Sequence, residues 1–190
     1  MQTRNFSRIL GNIPKKPEHL RVSVDEIEQK AHCEAILLTF SAYCERSIVN
    51  FTVKAFIPTN APKNILIRIA DKLNRDCSLE NEEYALFVIS AEDFYKEGKL
   101  TERANMLLYR KKQRGYIPLL SWAAIRVFEY AKSLGYENEC IFIEAKGELG
   151  KSAMLACVLE PGLSFIERKD NKSQTVKTHL ECKKELDNPL

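Results

Sequence analysis

The sequence predicts one α/β (or α+β) domain: a mixed β-sheet covered by helices, with a flexible arm before it and a charged, flexible tail after it. Three observations carry this. The chain has 190 residues, 45% of them hydrophobic, enough for one sizeable core. Short apolar runs of strand length alternate with longer stretches of helical period. "PLLSWAAIRVFEYAKSLG", followed closely by "ECIFIEA", gives a helix, a glycine cap and a buried strand in succession, the standard step of an α/β fold. Composition sets the boundaries: a basic arm over 1–22, the domain over 23–167 and a tail over 168–190.

Each element has its own reason. Pro14 and Pro17 discourage helix in the arm. Ser23 opens a capping box, S-V-D-E, in which its hydroxyl takes a free backbone N–H and Glu26 reaches back. Ile27, Ala31, Ala35, Leu38 and Ala42 recur at helical spacing, so a helix is predicted over 24–46. Its second half should be buried, because "AILLTFSAYC" is apolar on every side. Val49, Phe51, Val53 and Ala55 then alternate with polar residues as in a half-buried strand. In "ILIRIADKLN" strand and helix spacings compete, and Pro62 near its start favours helix. "YALFVIS" reads as a buried strand. "AEDFYKEG" reads as a short helix stopped by Gly98, and "TERANMLLYRKK" as another capped by Thr101. The best-defined helix covers 119–134, with Leu120, Ala124, Val127, Phe128, Ala131 and Leu134 on one face and Gly135 as its left-handed cap. "GELGKSAMLACVLEPG" gives a further helix and "LSFIER" a last strand.

Charge and cysteine usage narrow the class. The formal net charge is +3, but residues 1–21 are strongly basic, which leaves the body slightly acidic. That argues against a domain-wide nucleic-acid surface; such a contact would be local, through the arm or Arg110–Arg114. No apolar run reaches the ~20 residues of a membrane span, so no membrane partner is expected. The six cysteines form no C-x-x-C pair and several sit inside apolar runs. They read as reduced, buried thiols in a cytoplasmic protein.

Candidate chemistry is sparse. Histidine occurs only as His19, His32 and His179, none of them within a clear nucleophile motif. His179 and Cys182 have the i, i+3 spacing of a metal pair but no second pair, so no metal is expected. Glu144 and Lys146 have the Glu-x-Lys spacing of a metal-dependent nuclease without a well-placed upstream Asp. Glu82, Glu83, Glu92 and Asp93 lie in an acidic surface stretch. The most suggestive segment is "RKKQRGYIPLLSW". There Arg110, Lys111, Lys112, Arg114 and Gly115 precede a long helix, and a glycine turn before a helix presents free N–H groups to an anion.

The order "QRGYI", "LLSWAAIRVFEYAKSLG", "ECIFIEA", "KSAMLACVLEPGLSF" over 113–165 resembles the acyl-CoA-binding half of the GNAT-type N-acyltransferases. That resemblance implies an acyl-CoA cofactor whose phosphates meet the Arg110–Gly115 turn. The turn offers one small residue, and Pro118 removes a backbone N–H. The preferred expectation is therefore a cofactor-free interaction protein, an adaptor or accessory subunit with a protein partner. In it the basic cluster serves as a binding surface, and the acyltransferase is the alternative.

Overall fold

The computed structural model describes residues 16–44, 47–73, 82–97, 99–102, 104, 116–137, 140–168 and 174–187. Three long strands come first: β1 (His19–Gln29), β2 (Cys33–Cys44) and β3 (Ser47–Pro58), each antiparallel to the next. β4 (Asn64–Ala70) and β5 (Tyr84–Ser90) follow, then a small hairpin of β6 (Tyr95–Lys96) and β7 (Lys99–Leu100). Helix α1 (Tyr116–Ser133) leads to β8 (Ile141–Ala145), and α2 (Gly150–Leu159) to β9 (Ser164–Arg168). β10 (Gln174–Lys177) and α3 (His179–Asp187) complete the described chain.

Eight strands form one mixed sheet in the order β1-β2-β3-β5-β4-β8-β9-β10. β5, β4, β8 and β9 are mutually parallel, while β10 turns back antiparallel on β9. The molecule is thus a single mixed α/β domain, as the sequence predicts. Its main core lies on one face. Phe40, Phe51, Val53, Ile65, Ile67, Ile69, Phe87 and Ile89 pack there against Leu119, Trp122, Ala123 and Val127 of α1 and Ala153 and Ala156 of α2. The opposite face holds a smaller cluster of Cys33, Ala35, Phe56, Leu66, Leu86, Val88 and Ile166. Lys30 and Lys54 lie over the Phe56 ring at 5.6 and 5.4 Å and cover it with their stems.

Several expectations hold: β3, β5, β8 and β9 are strands, and the helix over 119–134 is α1. Its end closes as a glycine cap. Gly135 takes φ +95, its N–H donates to Lys132 O at 3.0 Å, and the Tyr136 N–H reaches Ala131 O at 3.4 Å. The Thr101 hydroxyl accepts from Ala104 N at 3.3 Å, but most of the helix predicted after it lies outside the described residues.

The helix predicted over 24–46 does not exist; that segment is the hairpin of β1 and β2. The apolar run in β2 is buried on both faces, Cys33 and Ala35 toward one cluster and Leu38, Phe40 and Ala42 toward the other. A strand buried on both faces loses its polar alternation and imitates a buried helix. The presumed capping box lies in a strand, and the Ser23 hydroxyl donates to the Asp25 carboxylate at 3.2 Å. The helix favoured at "ILIRIADKLN" is likewise β4. Its Ile65, Ile67 and Ile69 face the main core, and Leu66 faces the other side.

The ends differ too. His19–Arg21 belong to β1, and the segment expected as a flexible tail contains β10 and α3. Helix α3 begins with a real capping box: the Thr178 N–H and hydroxyl both donate to Glu181 Oε2 at 2.8 Å. Those bonds hold the Glu181 carboxyl below its usual range.

Candidate functional site

Strand order locates the site. From β4 the chain moves to β5 on one side, then returns to place β8 on the other. β4 and β8 are neighbours whose following strands, β5 and β9, lie to opposite sides, and the C-terminal ends of such a strand pair are the usual ligand position in open α/β sheets. Three segments meet at this crest: Asp71–Lys72 after β4, Ser90–Asp93 after β5, and Lys146–Gly150 after β8.

The first two are tied together. Asp71 O accepts from Glu92 N at 3.2 Å and from the Ser90 hydroxyl at 3.4 Å. Lys72 Nζ stands 3.1 Å from a Glu92 oxygen. Asp93 is used inward, its Oδ2 accepting from the N–H and hydroxyl of Thr52 at 2.8 Å each. The acidic residues Glu92 and Asp93 therefore brace the crest.

The third segment is a sharp strand–turn–helix. β8 ends at Ala145, Gly147 takes φ +57, and a short 3-10 turn over Gly147–Leu149 runs directly into α2. Lys146, Gly147 and Glu148 are exposed, whereas Leu149 and Gly150 are buried. The turn tip thus projects above the sheet while its base is anchored. A Cβ built on Gly147 would meet no heavy atom within 4 Å, so the space above it is open. No side chain caps the start of α2; the preceding turn does so instead, the Gly150 N–H donating to the carbonyls of Gly147 and Glu148.

Around the tip stand Glu148 and Lys151, paired at 2.8 Å, and two half-buried tyrosines. The hydrogen bond and charge of Glu148 raise the Lys151 pKa, with a smaller contribution from nearby Tyr116. Tyr116, the first residue of α1, packs its ring 4.9 Å from that of Tyr95 in β6. The two rings and the Lys151 ammonium make an aromatic and cationic wall beside the open turn.

The sequence-predicted residues fall unevenly. Arg110, Lys111, Lys112, Arg114 and Gly115 lie outside the described residues, immediately before Tyr116. Glu144 points away from any metal role: it is buried and paired with Arg68. His32 lies in the β1–β2 turn, at least four strand spacings from β8, roughly 19 Å at ~4.8 Å per strand. His19 is on the outermost strand, and His179 Nδ1 contacts Cys157 O at 3.0 Å, toward the far end of α2. Among the described residues no three His, Cys, Asp or Glu gather as a metal site. No described helix is long and apolar enough to cross a membrane.

A strand, a left-handed tip residue and a helix at the crest of a mixed sheet are the marks of an α/β-hydrolase-like fold. Solved structures agree on the fold. The chain is similar to a glucuronoyl esterase from Solibacter usitatus, with TM-score 0.61 and 15% identity over 85% of this chain and 56% of that one. A CE15 glucuronoyl esterase from Teredinibacter turnerae matches with TM-score 0.58 and 14% identity over 84% and 49%. A Bacteroides fragilis protein assigned as an acetyl xylan esterase matches with TM-score 0.57 and 13% identity over 86% and 51%. The chain spans about half the length of these structures. No family model and no curated protein matches the sequence.

These neighbours overturn two expectations. The helix–strand–helix order over 113–165 belongs to a hydrolase-like sheet, so the GNAT resemblance and its acyl-CoA cofactor fall. The adaptor or accessory-subunit reading falls as well, because the fold neighbours are carbohydrate esterases. The missed feature was "IEAKGELG": a buried strand meeting a glycine and then a helix. In the G-x-S-x-G turn of such folds the central serine attacks. At the corresponding turn here the sequence is Ala145-Lys146-Gly147-Glu148-Leu149, and the tip carries no hydroxyl. Nearby Ser152 is fully buried on α2, where its backbone carbonyl accepts from the Ser121 hydroxyl of α1 at 2.8 Å, so it cannot stand in.

Proposed function

We propose that this chain works in carbohydrate-ester chemistry, seating an esterified or acidic sugar at the crest over the Gly147 turn. One observation carries the reading: an open, left-handed strand–turn–helix at the switch point, flanked by Tyr95, Tyr116 and Lys151. Tyrosine faces suit the apolar C–H face of a pyranose ring. The Lys151 ammonium suits a carboxylate or an ester carbonyl. The esterases among the fold neighbours support the ligand class. None of these groups calls for a cofactor. The glycine tip can receive an acyl carbonyl but offers no atom to attack it, so no acyl-enzyme at position 147 is part of this proposal.

The test is ligand-induced stabilisation of the full chain. A methyl glucuronate ester or an acetylated xylo-oligosaccharide at about a hundredfold excess over Kd should stabilise by about 2–3 kcal/mol. Tyr95→Ala should weaken that effect, and coenzyme A should give none. Stabilisation by coenzyme A alone, or by neither sugar, would defeat the reading. Release of methanol or acetate, followed in the same samples, reads cleavage separately from binding.

A further inference from the structure

We propose that Cys157 and Cys182 form a redox pair, which closes under oxidising conditions into a disulfide that staples α3 onto α2. The two residues sit on packed helices and share the main core, each fully buried. Their thiols are near enough to perturb one another, and His179, three residues before Cys182 on α3, contacts the Cys157 carbonyl at 3.0 Å. Cys182 is the one buried residue of α3, whose Leu180 is 66% exposed. Helix α3 also docks through the contact of His179 Nδ1 with Cys157 O and through the Glu185 pair with Lys177 at 2.6 Å. A nine-residue helix with one buried residue opens more readily than the sheet beneath it, and opening exposes both sulfurs.

The surroundings also set the order of reaction. Burial pushes the Cys157 thiol up, whereas the hydrogen bond from Cys157 and the nearby Lys177 ammonium pull Cys182 down. Cys182 is thus the attacking thiolate and Cys157 the resolving thiol. With a small disulfide such as glutathione disulfide, the Cys182 thiolate attacks one sulfur and breaks the S–S bond. The first glutathione leaves as a thiolate and takes a proton. Cys157 then loses its proton, attacks Cys182 sulfur, forms the protein disulfide and expels the second glutathione. The protein gives up two hydrogens, and glutathione disulfide becomes two thiols. Because α2 begins at the crest turn, the staple would fasten the far end of the helix that carries the candidate site.

The experiment uses the full chain, reduced, desalted and treated with glutathione disulfide without denaturant. Intact mass should fall by two hydrogens, and one bridged peptide pair should contain Cys157 and Cys182. The melting midpoint should rise and return on reduction. Cys182→Ser and, separately, Cys182→Ala should abolish the bridge, and Cys140→Ser should leave it. A persistent glutathione adduct, a bridge elsewhere, or no reaction while the urea-unfolded chain reacts fully would each overturn the assignment. None of these readouts depends on the carbohydrate reading.

Discussion

Replacing Gly147 by alanine tests the turn on which the functional reading stands. Gly147 lies at φ +57, and a Cβ there would meet nothing within 4 Å. Packing therefore contributes no penalty, and only the backbone term remains. Holding a residue with a Cβ in the left-handed region costs about 1–2 kcal/mol. For a domain of this size each kcal/mol moves the melting midpoint by ~2–4 °C. The Gly147→Ala midpoint should fall by about 2–8 °C in calorimetry, with the urea m-value unchanged. Asparagine tolerates the left-handed region better, so Gly147→Asn should recover part of the loss. Gly135 is the internal control: it lies at φ +95 with equally open space, but closes the C-terminal end of α1. Gly135→Ala should destabilise similarly and leave sugar-induced stabilisation intact, whereas Gly147→Ala should diminish it. No loss of stability at Gly147 would mean that the tip is not left-handed. A loss beyond about 4 kcal/mol would mean that the space above it is filled. Either result would remove the open turn from the argument.

Phe51→Ala should cost about 3–5 kcal/mol in urea unfolding, because that fully buried ring stacks on Phe40 and meets Phe94 and Trp122. Glu144→Leu alone should cost about 3–5 kcal/mol by removing the carboxylate paired with the largely buried Arg68 guanidinium, while the double variant Arg68→Met with Glu144→Leu should sit much nearer the parent protein. The Glu181 carboxyl has a lowered pKa, so its stabilisation of α3 is full above the ordinary carboxylate range and is lost as pH falls through the folded value. Amide exchange in 179–187 should therefore quicken on acidification, and Thr178→Ala should flatten that response. Reversing Arg110, Lys111, Lys112 and Arg114 to Glu should weaken stabilisation by an acidic sugar and leave the ligand-free midpoint nearly unchanged, since chain connectivity alone holds Arg114 within about 7 Å of Tyr116.

The legible parts of the fold share one property: their local pattern agrees with their tertiary environment. Helix α1 is buried on all sides from Pro118 to Phe128, yet its length and the glycine at its end still mark it as a helix. β3 alternates because one face is more deeply buried than the other along most of its length. β2 breaks that agreement. Its neighbours β1 and β3 both pair with it, and residues of both its faces enter a core. The apolar residues on both faces satisfy a helix template as well as a strand template, and Ser23 to Glu26 offer a false start signal. The true capping box, Thr178 to Glu181, lies in a segment rich in charge. It gives little helix signal because α3 has one buried residue instead of an apolar stripe.

The candidate site was hidden for a different reason. Its parts are remote in sequence: Asp71, Ser90, Tyr95, Tyr116, Gly147 and Lys151 meet only because β8 returns past β4 instead of extending beyond β5. That return is a property of the whole sheet and leaves no trace in any window of residues. What the sequence does carry is the strand "IFIEA" ending two residues before a glycine and five before a helix. A glycine there has two readings, a plain connection or a tip whose backbone must turn left-handed. The angle of +57 selects the second, and the open space above it gives the turn room for a ligand. The same glycine removes the side chain on which an attacking turn depends. The fold and the tip residue therefore point to different parts of the proposed chemistry: the sheet places an open turn at its crest, and under the carbohydrate-ester reading Gly147 would seat the acyl group without a nucleophile of its own.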